Sequence, residues 1–193
     1  MEAPLVAVEV SGFDPLDDQA ARKSQELILQ LLEYSPRPFS RDQFEPGHIT
    51  ATGLVLHPDR SAVLLVHHRR LDRWLLPGGH VEEADAEIWR TAQREVVEET
   101  GAQLDPAAVA RLVGLDVHGI PPRRKEPFHL HHDLIFVFRA AADAFVCSDE
   151  ARAALWCAPE EFDRYGLPGS IRRGYLRAAI PEATSYTIDE GFL

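Results

Sequence analysis

Between Gly78 and Ala102 the chain reads GGHVEEADAEIWRTAQREVVEETGA, and this stretch limits the folds open to it more than any other. Leu75-Leu76-Pro77, just ahead, is a short apolar run closed by breakers, which reads as a strand end or turn feeding a helix. Gly101 stops that helix as its left-handed C-terminal cap. Turn, acidic helix and glycine stop form a compact unit rather than a solvated tail. Within it, Arg94 to Gly101 gathers Glu95, Glu98 and Glu99 onto little more than one helical turn.

Helix geometry sorts these acids. With Glu95 at zero and roughly 100° per residue, Glu99 falls at about +40° and Glu98 at about −60°. Ile88, Ala92, Val96 and Trp89 fall between about +20° and +120°, so Glu95 and Glu99 share a sector with the apolar stripe. Glu98, with Glu87 and Arg94, lies toward water. Like charges four apart repel even when solvated, and beside apolar groups one of them takes up a proton unless a cation is bound. Carboxylate oxygens suit Mg²⁺ or Mn²⁺. The competing reading is a charged surface helix with several glutamates.

The run also resembles a family. The pattern G-x5-E-x7-R-E-U-x-E-E-x-G-U, with U aliphatic, is the signature of Nudix hydrolases, and this chain matches it at Gly79, Arg94, Glu95, Val96, Glu98, Glu99 and Gly101. Ala102 fits the last aliphatic place weakly. Asp85 stands where the pattern has Glu, with eight residues rather than seven before Arg94. In the family that acid pairs with the arginine and steadies the loop; here Asp85 could do so or could simply cap the helix.

The resemblance implies a metal-dependent hydrolase of a diphosphate linked to another group, with Glu95, Glu98 and Glu99 binding Mg²⁺ and the carbonyl of Gly78 as a further ligand. Arg94 would orient the acids rather than touch substrate. Water would attack phosphorus, its proton passing to a carboxylate. Glu98 or Glu99 could be that base, and so could Glu126 or Glu150 on loops outside the run.

The remaining chain is consistent with one α/β domain carrying an extension. At 193 residues it can bury a sizeable core. Leu16, Ala20, Leu27, Ile28, Leu31 and Leu32 recur near helical spacing between Pro15 and Tyr34, and Ser35-Pro36-Arg37-Pro38 ends that helix. Ile49–Leu56 and Ala62–His67 read as a hairpin around His57-Pro58-Asp59-Arg60. Val109–His118 and His129–Arg139 read as strands across the loop Gly119–Phe128, and Ala154–Cys157 as a last strand before a helix opening at Pro159. The resemblance, recognisable from about Ile49 to Tyr165, implies an α/β/α sandwich with a mixed sheet. Residues 1–47 would be an N-terminal helical extension packed on the core, and residues 48–193 the domain with its C-terminal helix and tail.

No apolar run approaches a membrane span, and Met1-Glu2-Ala3-Pro4-Leu5 lacks the basic start of a signal peptide. Two cysteines, Cys147 and Cys157, give no disulfide framework, so a reducing cytoplasm is expected, with both read as buried apolar residues. A net charge of −11 argues against nonspecific binding to nucleic acid or to an anionic membrane; the partner that the resemblance implies is a small diphosphate compound. Local positive charge at Arg69, Arg70 and Arg73, and at Arg123-Arg124-Lys125, could hold phosphate, or the first group could merely protect a hairpin edge.

Histidines are concentrated too. Strand alternation puts His129, His131 and Asp133 on one face and His132 on the other, with His118 on a neighbouring strand and His80 after the glycines. They could line the substrate cleft, pair with the carboxylates, hold zinc although no cysteine pair accompanies them, or pack as ordinary strand residues. The N-terminal helix and the apolar end Gly191-Phe192-Leu193 could cover a second subunit, giving a homodimer, or the chain's own core.

Three functions follow: a pyrophosphohydrolase on a nucleoside diphosphate derivative or related compound; an enzyme like isopentenyl diphosphate isomerase; or a non-catalytic nucleotide-sensing domain. The complete REVVEETG run, with no cysteine near it in sequence, favours the first.

Overall fold

The computed structural model describes residues 1–123, 126–149 and 151–179. Two helices lead, α1 (Ala3–Gly12) and α2 (Gln19–Tyr34). Strands β1 (Gly47–Leu56), β2 (Val63–His68), β3 (Arg73–Leu75) and β4 (Gly78–His80) precede α3 (Ile88–Thr100). Strands β5 (Arg111–Ile120), β6 (His129–Arg139) and β7 (Ala151–Cys157) follow, then a single 3-10 turn and α4 (Gly169–Ala178).

The seven strands form one mixed sheet. The main order is β3-β2-β1-β6-β5, with β4 on β1 and β7 on β2. Only β1 and β6 run parallel, and they pair along the whole of β1, from Gly47↔Leu130 to Leu56↔Arg139. On its other edge β1 meets β2 at Leu56↔Val63, then turns to β4 at Thr50–Thr52. The sheet therefore parts along that edge, and β4 is brought in beside α3.

A strand covered on both faces reads as nearly continuously apolar, and β1 does. Ile49, Ala51 and Val55 face a core shared with Ile88, Ala92 and Val96 of α3, with Ile28 and Leu31 of α2, and with Val6 and Val10 of α1. Leu54 and Leu56 face the opposite core, closed by Phe162, Ile171 and Ala178. Helices on both faces give the α/β/α sandwich expected from the sequence.

Helix α2 begins four residues later than its apolar spacing suggests, because Asp18 caps it, accepting from the Ala21 N–H at 3.1 Å. Helix α1 escapes sequence reasoning: Ala3–Gly12 is rich in valine, which ordinarily favours strands, and burial of Val6 and Val10 overrides that preference. The helix expected to open at Pro159 is a correction. A 3-10 turn, Pro159–Glu161, gives way to Gly166 at φ 64° and to Pro168, and the last helix starts at Gly169. Cys147 is exposed, contrary to the expectation that both cysteines are buried; Cys157 is buried. Gly191-Phe192-Leu193 lies outside the described residues. No helix among the described residues is long and apolar enough to cross a membrane.

Candidate active site

Helix α3 presents the acids as its geometry requires. Glu99 is buried, the Glu95 side chain is 16% exposed and that of Glu98 57%. Gly101 closes the helix in the left-handed conformation, φ 58°, its N–H donating to the Val97 carbonyl at 2.8 Å.

Arg94 organises the turn. Its Nη1 donates to Glu95 Oε1 at 3.0 Å and Glu98 Oε2 at 3.1 Å. Its Nη2 donates to the His80 carbonyl at 2.8 Å and Asp85 Oδ2 at 3.0 Å, and Nε to Asp85 Oδ1 at 3.2 Å. A guanidinium has five N–H donors, so every one is engaged. Asp85 raises the Arg94 pKa first, and Glu95 adds to it.

Asp85 does not cap α3; Glu87 occupies the cap position. Buried beneath the loop, the Asp85 carboxylate also accepts from the Glu82 N–H and the Thr91 hydroxyl, each at 2.9 Å. Burial pushes its pKa up, but the Arg94 guanidinium and these two donors outweigh burial and hold it below the ordinary value. The aspartate thus reaches the arginine in spite of the extra residue between them.

Strand β4 forms the other wall. A Cβ at Gly79 would overlap the Glu95 carboxylate, so glycine lets that carboxylate lie against the strand without being displaced. His80 follows, opposite Thr50 on β1. On the sheet face covered farther along by α4, β1, β6 and β5 bring His48, His131 and His118 into one row. His129 and Asp133 lie on either side of His131, and Asp133 Oδ1 accepts from the Thr50 and Thr52 hydroxyls at 2.8 and 2.9 Å. Burial raises the Asp133 pKa against those two hydroxyls. His132 is buried on the opposite face.

Arg69, Arg70 and Arg73 are exposed at the β2–β3 connection. Arg69 Nη2 donates to the Ala151 carbonyl at 3.3 Å. Burial pulls the His80 pKa down to about 4, with smaller contributions from His48, Arg41, His129 and Arg70. Glu126 bridges to Arg123 in the β5–β6 loop. Arg124, Lys125 and Glu150 lie outside the described residues. Trp74 stacks on His67, and the Trp156 Nε1 donates to the Asp143 carbonyl, so both are committed to packing; Phe128 is exposed. Cys147 lies between Val146 and Ser148, whose N–H groups donate to the carbonyls of Thr100 and Glu99. His48, Arg41 and Thr50 were not singled out from the sequence. The parallel pairing of β1 with β6, which no local pattern encodes, is what brings His48 beside His131.

The family model for the NUDIX domain matches residues 47–177, beginning at β1 and running through most of α4. The chain belongs to the Nudix domain family. Nudix enzymes are hydrolases of phosphorus-containing acid anhydrides, and the matched region includes the acidic run of α3. No curated protein matches the chain. Among solved structures, the NUDIX domain of Shewanella oneidensis NrtR, complexed with ADP ribose, is 18% identical over 77% of this chain and 93% of its own, with a TM-score of 0.51. The E. coli dihydroneopterin triphosphate pyrophosphohydrolase is 18% identical over 66% of this chain and 91% of its own, with a TM-score of 0.50. Both likenesses are of the Nudix fold.

Proposed function

We propose that the chain is a Mg²⁺-dependent pyrophosphohydrolase that cleaves a diphosphate linkage in a nucleoside diphosphate derivative or related compound by attack of water on phosphorus. The observation that carries this reading is the turn of α3 on which Arg94, itself fixed by Asp85, aligns Glu95 and Glu98 beside the buried Glu99. Three hard carboxylates and the notch at Gly79 that seats Glu95 fit a hard divalent ion. Glu95, Glu98 and Glu99 would hold Mg²⁺, or Mn²⁺ in its place, with the Gly78 carbonyl as a further donor. When bound, the ion supplies neutralisation of phosphate charge and a more acidic water.

The chain's own residues do the rest. Arg94, with no donor to spare, orients the acids. Glu98 takes the proton of the attacking water; its exposure, unlike the burial of Glu99, supports that role. Arg70, exposed after β2, binds a substrate phosphate, with Arg69 and Arg73 beside it in sequence, and His131 and Glu126 contribute to substrate binding. ADP ribose, bound by the Shewanella NUDIX domain, and dihydroneopterin triphosphate, named for the E. coli enzyme, both carry linked phosphates, which supports the compound class.

In this reading residues 48–193 are the catalytic domain and 1–47 its extension, consistent with a family match that starts at Gly47. Two free thiols support a reducing, cytoplasmic setting. Sedimentation at two concentrations tests whether a homodimer covers Leu5 and Val8, which α1 leaves exposed.

The hydrolase reading is tested by a Mg²⁺ and Mn²⁺ screen over oxidised nucleotides, ADP-sugars, dinucleotides, coenzymes and capped RNA. Cleavage of one class is expected, with loss of about 10²-fold or more in kcat for Glu98→Gln. No cleavage of any class, or full activity in Glu98→Gln and Glu99→Gln alike, would sink it.

A further inference from the structure

Five of the nine histidines gather on one sheet face: His48, His80, His118, His129 and His131. Ring centroids lie 5.0 Å apart for His48–His80, 4.9 Å for His48–His131 and 5.2 Å for His80–His131. In this trio one ligand nitrogen from each ring lies within 4.8 Å of the other two. A tetrahedral zinc with Zn–N bonds of about 2.0–2.1 Å needs nitrogens about 3.3 Å apart. Binding the ion therefore requires the three rings to turn toward one another.

His48 supplies an independent observation. It is 1% exposed, and its Nδ1 lies 3.0 Å from the Gln43 carbonyl. A carbonyl only accepts, so Nδ1 carries the proton and Nε2 the lone pair. That Nε2 is buried with no hydrogen-bond partner among the described residues. An aromatic lone pair held in the interior, on a ring oriented by a backbone carbonyl, is the arrangement by which proteins aim a histidine at a metal.

We propose that His48, His80 and His131 form a second metal centre, a three-histidine site for one Zn²⁺ or a comparable first-row transition ion, separate from the carboxylates of α3. Imidazole nitrogen suits such borderline ions, whereas Mg²⁺ demands oxygen. Three protein ligands leave one coordination position open, as in catalytic rather than structural zinc sites. His80 joins the centres, since its carbonyl accepts from Arg94 while its ring faces His48. This inference goes beyond the hydrolase reading and does not depend on it.

The test uses the full, untagged chain, stripped by chelator and dialysed against Zn²⁺ in excess Mg²⁺, with bound metal counted by elemental analysis. One zinc per chain is expected. His80→Gln and His131→Gln should each weaken binding at least about tenfold, while Glu98→Gln and the surface variant His57→Gln keep it. Far-UV circular dichroism verifies folding, and the half-exposed position of His80 makes His80→Gln the decisive variant. No zinc bound, wild-type affinity in His80→Gln, or loss of zinc in Glu98→Gln would each overturn the proposal.

Discussion

Asp85 and Arg94 show how one residue pair fixes the site. Asp85 is 6% exposed, and removing one member of a buried charge pair strands the other. Asp85→Ala should therefore lower stability by about 3 kcal/mol, read from urea denaturation, and reduce kcat as Arg94 loses its anchor. Arg94→Lys should not rescue the arginine's role, because three donors on a flexible stem cannot span acceptors that need five. Gly79→Ala is a finer probe. Its Cβ pushes on the Glu95 carboxylate, and a misplacement on that scale should cost on the order of 10²-fold in activity with the circular dichroism unchanged. The division between half-buried Glu95, buried Glu99 and exposed Glu98 was legible in the sequence, because helical projection needs only spacing. What Asp85 does was not: whether an acid nine residues upstream reaches Arg94 depends on how the Val81–Glu87 loop folds back.

At the scale of elements, the N-terminal helices are fastened at two points. The Gln25 amide donates to the Val10 and Phe13 carbonyls at 2.8 Å each, tying α2 to α1. Asp18 pairs with Arg173 and Arg177 of α4, and Arg177 also stacks on Phe13. Burial pushes the Asp18 pKa up, but the Ala21 N–H and the two guanidiniums prevail and hold it below its ordinary value. A depressed carboxyl stabilises the fold above its unfolded pKa, about 3.9, and that contribution is lost as pH falls through the lower folded value. Asp18→Asn keeps a good helix cap and removes only the charge. It should destabilise the protein at pH 7 and progressively less toward pH 3, as measured by denaturation at each pH. Sequence periodicity revealed α2 but not α1, whose valines have strand character until Val6 and Val10 find a core.

The whole molecule rests on two cores divided by one sheet. Phe136 is fully buried among residues of α3 and β1, and Phe136→Ala should cost about 3–5 kcal/mol in a single cooperative transition. Sandwich architecture could be read from alternating strands around an acidic helix. The parallel meeting of β1 and β6 could not, since their residues stand more than eighty positions apart in the chain; the pair Thr50 and Asp133 shows the distance spanned. That pairing assembles the histidine face. β4, only Gly78-Gly79-His80, is backed by α3 on one side and opens to that face on the other. The strand is a party wall. Double substitutions across it, such as Arg94→Lys with His80→Gln, should therefore depart from additivity, and a redesign that reshapes one room will be felt in the next.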